Sequence, residues 1–270
     1  MRYGKTMSDG TTEAAAFNAA ITLVGMGSKN TNLQRAGDNV AYVGEVLTGL
    51  VKTALMPLAV VNARAQKYFD SKFPEDLADK MKEVPPEFIA SPKPSVAGPV
   101  LQGLGYSHEE DSLRDLYIGL LATSMDSRVA AKAHPGFAEI IGALSASEVG
   151  FLEPVLQIET MAAAELRSSI EGEQSWNVVY SHLVGLRNAV EPLLDEMLPA
   201  YIDNWVRLGL VRVNYDTYLT DETAYDWVDA RPEYQERVRG LQDGQSITFA
   251  KGVIQRTAFG FAFAKAVGIL

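Results

Sequence analysis

Three histidines, His108, His134 and His182, are the side chains of this chain best suited by type to acid–base or metal chemistry, and their spacing supports neither. They lie too far apart for a local two-histidine zinc motif. His108 with Asp111 one helical turn later supplies two ligands at most. The run Glu109, Glu110 and Asp111 resembles the paired carboxylates of proton transfer. Acids at a helix start are expected without chemistry, however, because they face the positive end of the helix dipole. His134 precedes Pro135, which biases it toward extended backbone, and it reads as a turn residue hydrogen-bonded to nearby main chain. Ser124 and Asp126 have no histidine with a defined role. Gly25-Met26-Gly27 lacks a third glycine and a preceding strand, so it is no dinucleotide fingerprint, and no nucleophile elbow or phosphate-cradling loop is present. The residues therefore predict no catalytic set, no metal site and no cofactor, and leave enzymatic activity unsupported.

Composition narrows the remaining classes. With 270 residues, 47% of them hydrophobic and 21% charged, the chain can bury a substantial core as one large domain or two small ones. It has no cysteine, which removes disulfides, thiolate metal sites and a cysteine nucleophile. Arg2 and Lys5 are followed by Asp9 and Glu13, which break the apolar core that a signal peptide needs. The apolar runs 14–28 and 53–63 fall short of the roughly 20 residues that span a bilayer. A cytoplasmic location is the expectation, with peripheral membrane contact left open. The net charge of −10 is concentrated in the second half: residues 137–270 carry 10 Lys plus Arg against 19 Asp plus Glu. Such acidity disfavours a nucleic-acid partner, because that affinity comes mainly from basic groups displacing counterions.

The elements that would position any site are mainly helical. Apolar residues from Val40 to Val61 recur at spacings of three and four, with Pro57 as a kink, and read as a buried bundle helix. Phe69, Phe73, Leu77, Met81 and Val84 keep the same period, and Pro74 is placed to open a fresh helix. From Pro85 to Tyr106, five prolines and three glycines predict a linker or extended segment without a long helix. Ser107 with Glu110 forms a capping-box pattern for a helix over about 108–124, and Ser145 with Glu148 repeats it for a helix continuing toward Met161.

A further helical pattern runs from Val184 to Leu208, interrupted by Pro192 and Pro199, with Gly209 where a helix C-terminus favours it. Val211, Val213 and Tyr215 then alternate like a strand, with a partner strand expected around Ile247–Ile254. The chain closes in a small-residue helix over about 258–267, expected to bury Phe259 and Phe263. The expected fold is mainly α (α+β): an N-terminal helical region (1–84), a Pro/Gly-rich connector (85–106), and a helical part (107–270) with a small winged-helix-like β-hairpin near its C-terminus. A winged helix would make Arg207 and Arg212 the reading residues, so a DNA-binding regulator stands as an alternative. The turn His134, Pro135, Gly136 and Phe137 joins them as a candidate interaction surface.

The segments PPEFIASPKPSVAGPVLQGLGYS, LRDLYIGLLATSMD and AHPGFAEIIGALSASEV, with LGLVRVNYDTYL and RTAFGFAFAKAV more loosely, resemble the Abi-alpha family, the abortive infection alpha proteins of bacteria. The resemblance covers about residues 36–270 and is most specific over 85–150. It implies phage resistance of the abortive-infection type and carries no catalytic set to transfer. Action through a protein partner or phage component is the expectation, with self-association and a membrane-perturbing effector left open.

Overall fold

The computed structural model describes residues 63–187 and 192–270; the helix expected over 40–61 lies outside them. Among the described residues are eight α-helices and one four-stranded antiparallel sheet, an α+β architecture. Two compact units divide the chain: one runs to Leu144 and includes Ala266–Gly268, the other holds Ser145–Lys265 with Ile269 and Leu270.

The first unit is helical. Helices α1 (Ala63–Lys80), α2 (Pro94–Ser107), α3 (Asp111–Met125) and α4 (Gly136–Gly142) pack in the pairs α1–α3, α2–α3, α2–α4 and α3–α4. Their shared core takes Phe73 and Leu77, Val100 and Leu104, Leu116 and Leu120, and Phe137 and Ile141. Pro74 does not restart a helix as expected; α1 runs through it.

The expectation of no long helix between 85 and 106 is overturned by α2, for three physical reasons. Pro94 occupies the first turn, where its missing N–H has no intrahelical acceptor. Pro99 is exposed and forfeits a single bond. Burial of Val96, Ala97, Val100, Leu101 and Leu104 offsets that loss. Gly103 is needed for packing, since a Cβ there would lie 2.2 Å from Cζ of Tyr117. Because α2 extends to Ser107, that residue does not cap the next helix; Glu110 precedes α3 without a side-chain cap.

In the second unit, α5 (Ala146–Gln157) opens with the expected capping box: Ser145 Oγ accepts from the Glu148 N–H, and Glu148 Oε2 accepts from the Ser145 N–H. The helix then stops, three residues after Pro154, and Met161 lies in a strand. Strands β1 (Thr160–Ile170), β2 (Trp176–Val184), β3 (Val211–Asn214) and β4 (Gln245–Arg256) form a sheet in the order β2-β1-β4-β3. The β1–β2 hairpin departs from the helical pattern expected there. Met161-Ala162-Ala163-Ala164-Glu165-Leu166 is rich in helix formers, and burial of three successive alanines hides the strand alternation.

The expected pairing of β3 with β4 is present, but within a four-stranded sheet in which β3 is an edge strand. One sheet face, carrying Ala162, Ala164, Leu166 and Leu183, packs with Tyr225 and Val228. That layer is held by Arg231, only 3% exposed, whose guanidinium donates to the carbonyls of Leu186 and Leu193 and pairs with both carboxylate oxygens of Glu233. Helix α6 (Leu198–Arg207) packs against β2 and β3, and α7 (Pro232–Arg239) and α8 (Ala258–Val267) complete the set. Of the Val184–Leu208 pattern, only α6 is helical among the described residues.

Candidate interaction surface

Helix α6 sets up the corner of interest. Leu198, Ile202 and Trp205, spaced four and three apart, turn inward, which leaves Asp203, Val206 and Arg207 exposed. The helix ends as the sequence predicts. Gly209 takes φ +73°, the Leu210 N–H donates to the Trp205 carbonyl (2.9 Å), and the Gly209 N–H donates to that of Val206 (2.9 Å), a Schellman closure.

That end is bolted to the start of α8. Thr257 Oγ1 donates to the Gly209 carbonyl (2.6 Å) and accepts from the Gly260 N–H (2.8 Å), while the Thr257 N–H donates to the Leu210 carbonyl (3.0 Å). Phe259 therefore lies beside Gly209, with Cδ1 3.7 Å from where a Cβ would stand. Phe259 and Phe261 are 41% and 40% exposed. Only Phe263 is buried; the expectation that Phe259 joins it is corrected, because Phe259 sits in the first turn over the Gly209 corner.

Two cations lie beside Phe261. The Arg256 guanidinium and the Lys265 ammonium each lie 4.8 Å from the centroid of Phe261. Arg256 also donates to the Leu156 carbonyl, which fixes its stem at the end of α5. Arg207 donates through Nη2 (2.6 Å) and Nε (3.1 Å) to Asn204 Oδ1, and Asn204 Nδ2 donates to Glu148 Oε1 (2.8 Å). Among the described residues, none of Arg207, Arg256 and Lys265 has a carboxylate within 4.0 Å. Arg212 does not share this corner. It is exposed on β3, and strand alternation puts it on the face opposite Val211 and Val213.

A second polar array lies on the same unit. In β2, Ser181 and His182 together oppose Glu165, a β-bulge in which His182 adopts φ +54°. Tyr215 Oη stands 3.0 Å from both the backbone nitrogen and Nδ1 of His182, and Nε2 is 3.1 Å from Oδ1 of Asp203. The backbone N–H can only donate, so the phenol oxygen accepts it, and its own O–H donates a hydrogen bond to an unprotonated Nδ1. Nε2–H then donates to Asp203. Burial raises the Tyr215 phenol to about 12, with Glu165 and Asp203 adding to the rise, so it is a neutral donor here and not a nucleophile. The array ties β2, the end of β3 and α6 together. Sequence reasoning singled out His182 but had no signal for its partners, which lie 21 and 33 residues away.

The other sequence-level candidates belong to the first unit. His134 and Pro135 are exposed, and His134 Nδ1 accepts the Gly136 N–H (3.1 Å), the predicted turn bond. Phe137 is buried in the core. Asp126 is clasped by Arg128 through two oxygens (2.9 and 2.7 Å), which holds its carboxyl below the ordinary range. Ser124 Oγ donates to the Leu121 carbonyl, so neither is set for catalysis. His108 stacks on Tyr68 (5.3 Å), and Asp111 pairs with Arg114 (2.6 Å). Among the described residues, no three His, Asp or Glu side chains converge as a metal site, and no helix is long and apolar enough to cross a membrane.

Comparison with known proteins gives one result. The family model described as abortive infection alpha matches residues 65–267. Neither the curated proteins nor the solved structures contain a match. Three quarters of the chain thus follows one family pattern, running from α1 through the sheet to the end of α8, and the chain belongs to the abortive infection alpha family.

Proposed function

We propose that this protein is an abortive-infection phage-defence factor that works in the bacterial cytoplasm by binding another protein, of phage or host. Family membership supplies the biological role. The observation that favours contact as the mode of action is the exposure of Phe259 and Phe261 at a rigid corner, with Arg256 and Lys265 beside Phe261. Exposed aromatic side chains beside arginine have the composition of an interface centre. The corner is also preorganised. The end of α6 and the start of α8 are held by main-chain and Thr257 hydrogen bonds, so little conformational freedom is lost on binding.

The test is a phage challenge of cells expressing the wild-type chain or the Phe259→Ser/Phe261→Ser variant. Protection by the wild type, seen as reduced plaquing or early culture collapse, and its loss in a variant that retains its cooperative thermal unfolding, supports the reading. Absence of protection across a broad phage panel, or equal protection by both proteins, overturns it.

A further inference from the structure

We infer that the open edge of β2 is a self-association surface: a second copy of this chain lays its own β2 antiparallel along Trp176, Asn177 and Val178, joining the two four-stranded sheets into one. This goes beyond the contact reading above and concerns a different place. Trp176 pairs with Ser169, which pairs with Ser246 at the start of β4, whereas Phe259 and Phe261 follow the end of that strand at Arg256.

The hydrogen-bond pattern fixes which way the edge points. At one end of the β1–β4 ladder the Arg256 N–H donates to the Glu159 carbonyl (2.9 Å), and at the other the Glu171 N–H donates to the Gly244 carbonyl (2.7 Å), with an unbroken register between. Odd-numbered residues of β1 therefore turn their main chain to β4, and even-numbered ones, Ser168 among them, to β2. Asn177, opposite Ser168, turns inward, so Trp176 and Val178 turn their N–H and C=O groups out of the sheet. Farther along β2 the irregular positions are capped by side chains: the Val179 carbonyl accepts from Arg237 Nε (3.3 Å), and the His182 N–H donates to Tyr215 Oη. Among the described residues no such cap reaches Trp176 or Val178, and the two are 48% and 46% exposed. An unpaired edge of this kind is a template for another strand.

The register selects a second copy as that strand. Set antiparallel about a two-fold axis at Asn177, each Trp176 faces the Val178 of the second copy, and each such pair exchanges two main-chain hydrogen bonds. Trp176 and Val178 lie opposite Ser169 and Arg167 on one sheet face, so two aromatic–β-branched pairs form side by side over the joint. The Arg167 guanidinium already stacks on Trp176, 3.7 Å from the ring centroid, and holds the indole in place. Charge agrees. Trp176 to Ser181 carries no charged side chain, so the two strands do not repel. The same register sets Ser175 across from Val179 of the second copy, which brings the Glu173 carboxylate, bonded to Ser175 Oγ, toward the Arg237 that caps Val179. An unrelated extended peptide supplies main-chain bonds without these matched pairs. The joint is far smaller than a standard interface of roughly 20–30 residues a side, so association is weak and concentration-dependent.

The chain has no cysteine, which makes the register directly testable. At the two-fold axis the Asn177 pair is of the non-hydrogen-bonded kind, with Cα atoms about 4.5 Å apart, within the span of a disulfide. Asn177→Cys in the full chain is expected to give a covalent dimer under copper phenanthroline, while Gln174→Cys stays monomeric at the same concentration. Wild type is expected to sediment as a monomer near 1 μM and to shift toward dimer by about 1 mM. Val178→Pro removes an outward donor, which an edge strand tolerates, and Val178→Lys puts like charges at the joint; both are expected to abolish the shift. Glu173→Arg is expected to weaken dimerisation, and Glu173→Arg/Arg237→Glu to restore part of it.

A wild type that stays monomeric across that range, equal cross-linking from positions 177 and 174, or dimerisation untouched by Val178→Lys overturns the inference. So does dimerisation that Phe259→Ser/Phe261→Ser abolishes and Val178→Lys does not, which would move self-contact to that corner. A monomeric wild type that binds a labelled Thr-Val repeat peptide, with binding lost in Val178→Pro, would overturn it in favour of a different protein at the same edge.

Discussion

The phenol of Tyr215 reaches from the end of β3 to the bulge in β2, where its oxygen satisfies both the backbone N–H and the ring Nδ1 of His182 at 3.0 Å. Removing that oxygen leaves a half-buried main-chain donor without its acceptor. Tyr215→Phe is therefore expected to cost about 1–3 kcal/mol, read as a lower urea midpoint at unchanged slope. An unchanged midpoint would show that water replaces the phenol freely.

A larger cost is expected at the glycine that the same ring covers. A Cβ on Gly252 would stand 2.4 Å from Cδ1 of Tyr215 and 2.7 Å from the Asn214 carbonyl oxygen. The second contact is backbone and cannot swing away. Gly252→Ala should destabilise more than Tyr215→Phe, and the double variant should recover little of the loss, which a double-mutant cycle measures.

Stability should fall at alkaline pH for a reason located in this unit. Burial raises both Tyr215 and Tyr180 from 10.0 to about 12, with Glu233 adding to the rise at Tyr180. Between those values the unfolded chain releases protons that the folded chain retains, so unfolding becomes easier as pH rises. The contribution is fully present below pH 10 and is lost as pH climbs to about 12. Tyrosinate absorbance should show late-titrating tyrosines in the folded protein, Tyr180 and Tyr215 among them, and Tyr215→Phe should remove one.

Arg231 anchors the layer over the sheet through hydrogen bonds to Leu186, Leu193 and Glu233. Arg231→Met leaves the Glu233 carboxylate without its partner and takes a donor from the Leu193 carbonyl, while the Leu186 carbonyl keeps the Leu193 N–H, at an expected cost of about 3–5 kcal/mol. Adding Glu233→Leu should restore part of this, because the uncompensated charge is then gone. Chemical denaturation of the single and double variants checks the order; a double variant less stable than the single would refute it.

Glu148 serves two masters: it caps α5 through the Ser145 N–H and positions Arg207 through Asn204. Ser145→Ala should cost about 1 kcal/mol and leave the corner intact. Glu148→Ala should cost more, about 2 kcal/mol, because two donors lose their acceptor. Urea unfolding of the two variants side by side checks the order.

Parts of the architecture are local and therefore readable along the chain. The capping box at Ser145, the Gly209 helix end, the His134 turn bond, the pairing of β3 with β4 and the closing helix all depend on neighbouring residues or on a clean period. Other parts are not. Proline and glycine density between 85 and 106 argued against a long helix, yet α2 forms because its prolines sit where a missing donor costs least and its apolar residues find a core. The β1 strand was invisible for a related reason: alanines buried on both faces carry no alternation.

By itself, the sequence determined the family, the helix ends, the acidic balance and the absence of cysteine chemistry, since these rest on residue identity and short-range stereochemistry. Only the tertiary structure decided which residues meet. It paired His182 with Tyr215 and Asp203, buried Phe137 while exposing Phe259 and Phe261, tied Arg207 through Asn204 to Glu148, and brought Arg256 and Lys265 to one ring, Phe261. Those outcomes depend on chain closure over 20 to 60 residues, as in the 56-residue step from Glu148 to Asn204, where burial and hydrogen-bond satisfaction outweigh local propensity.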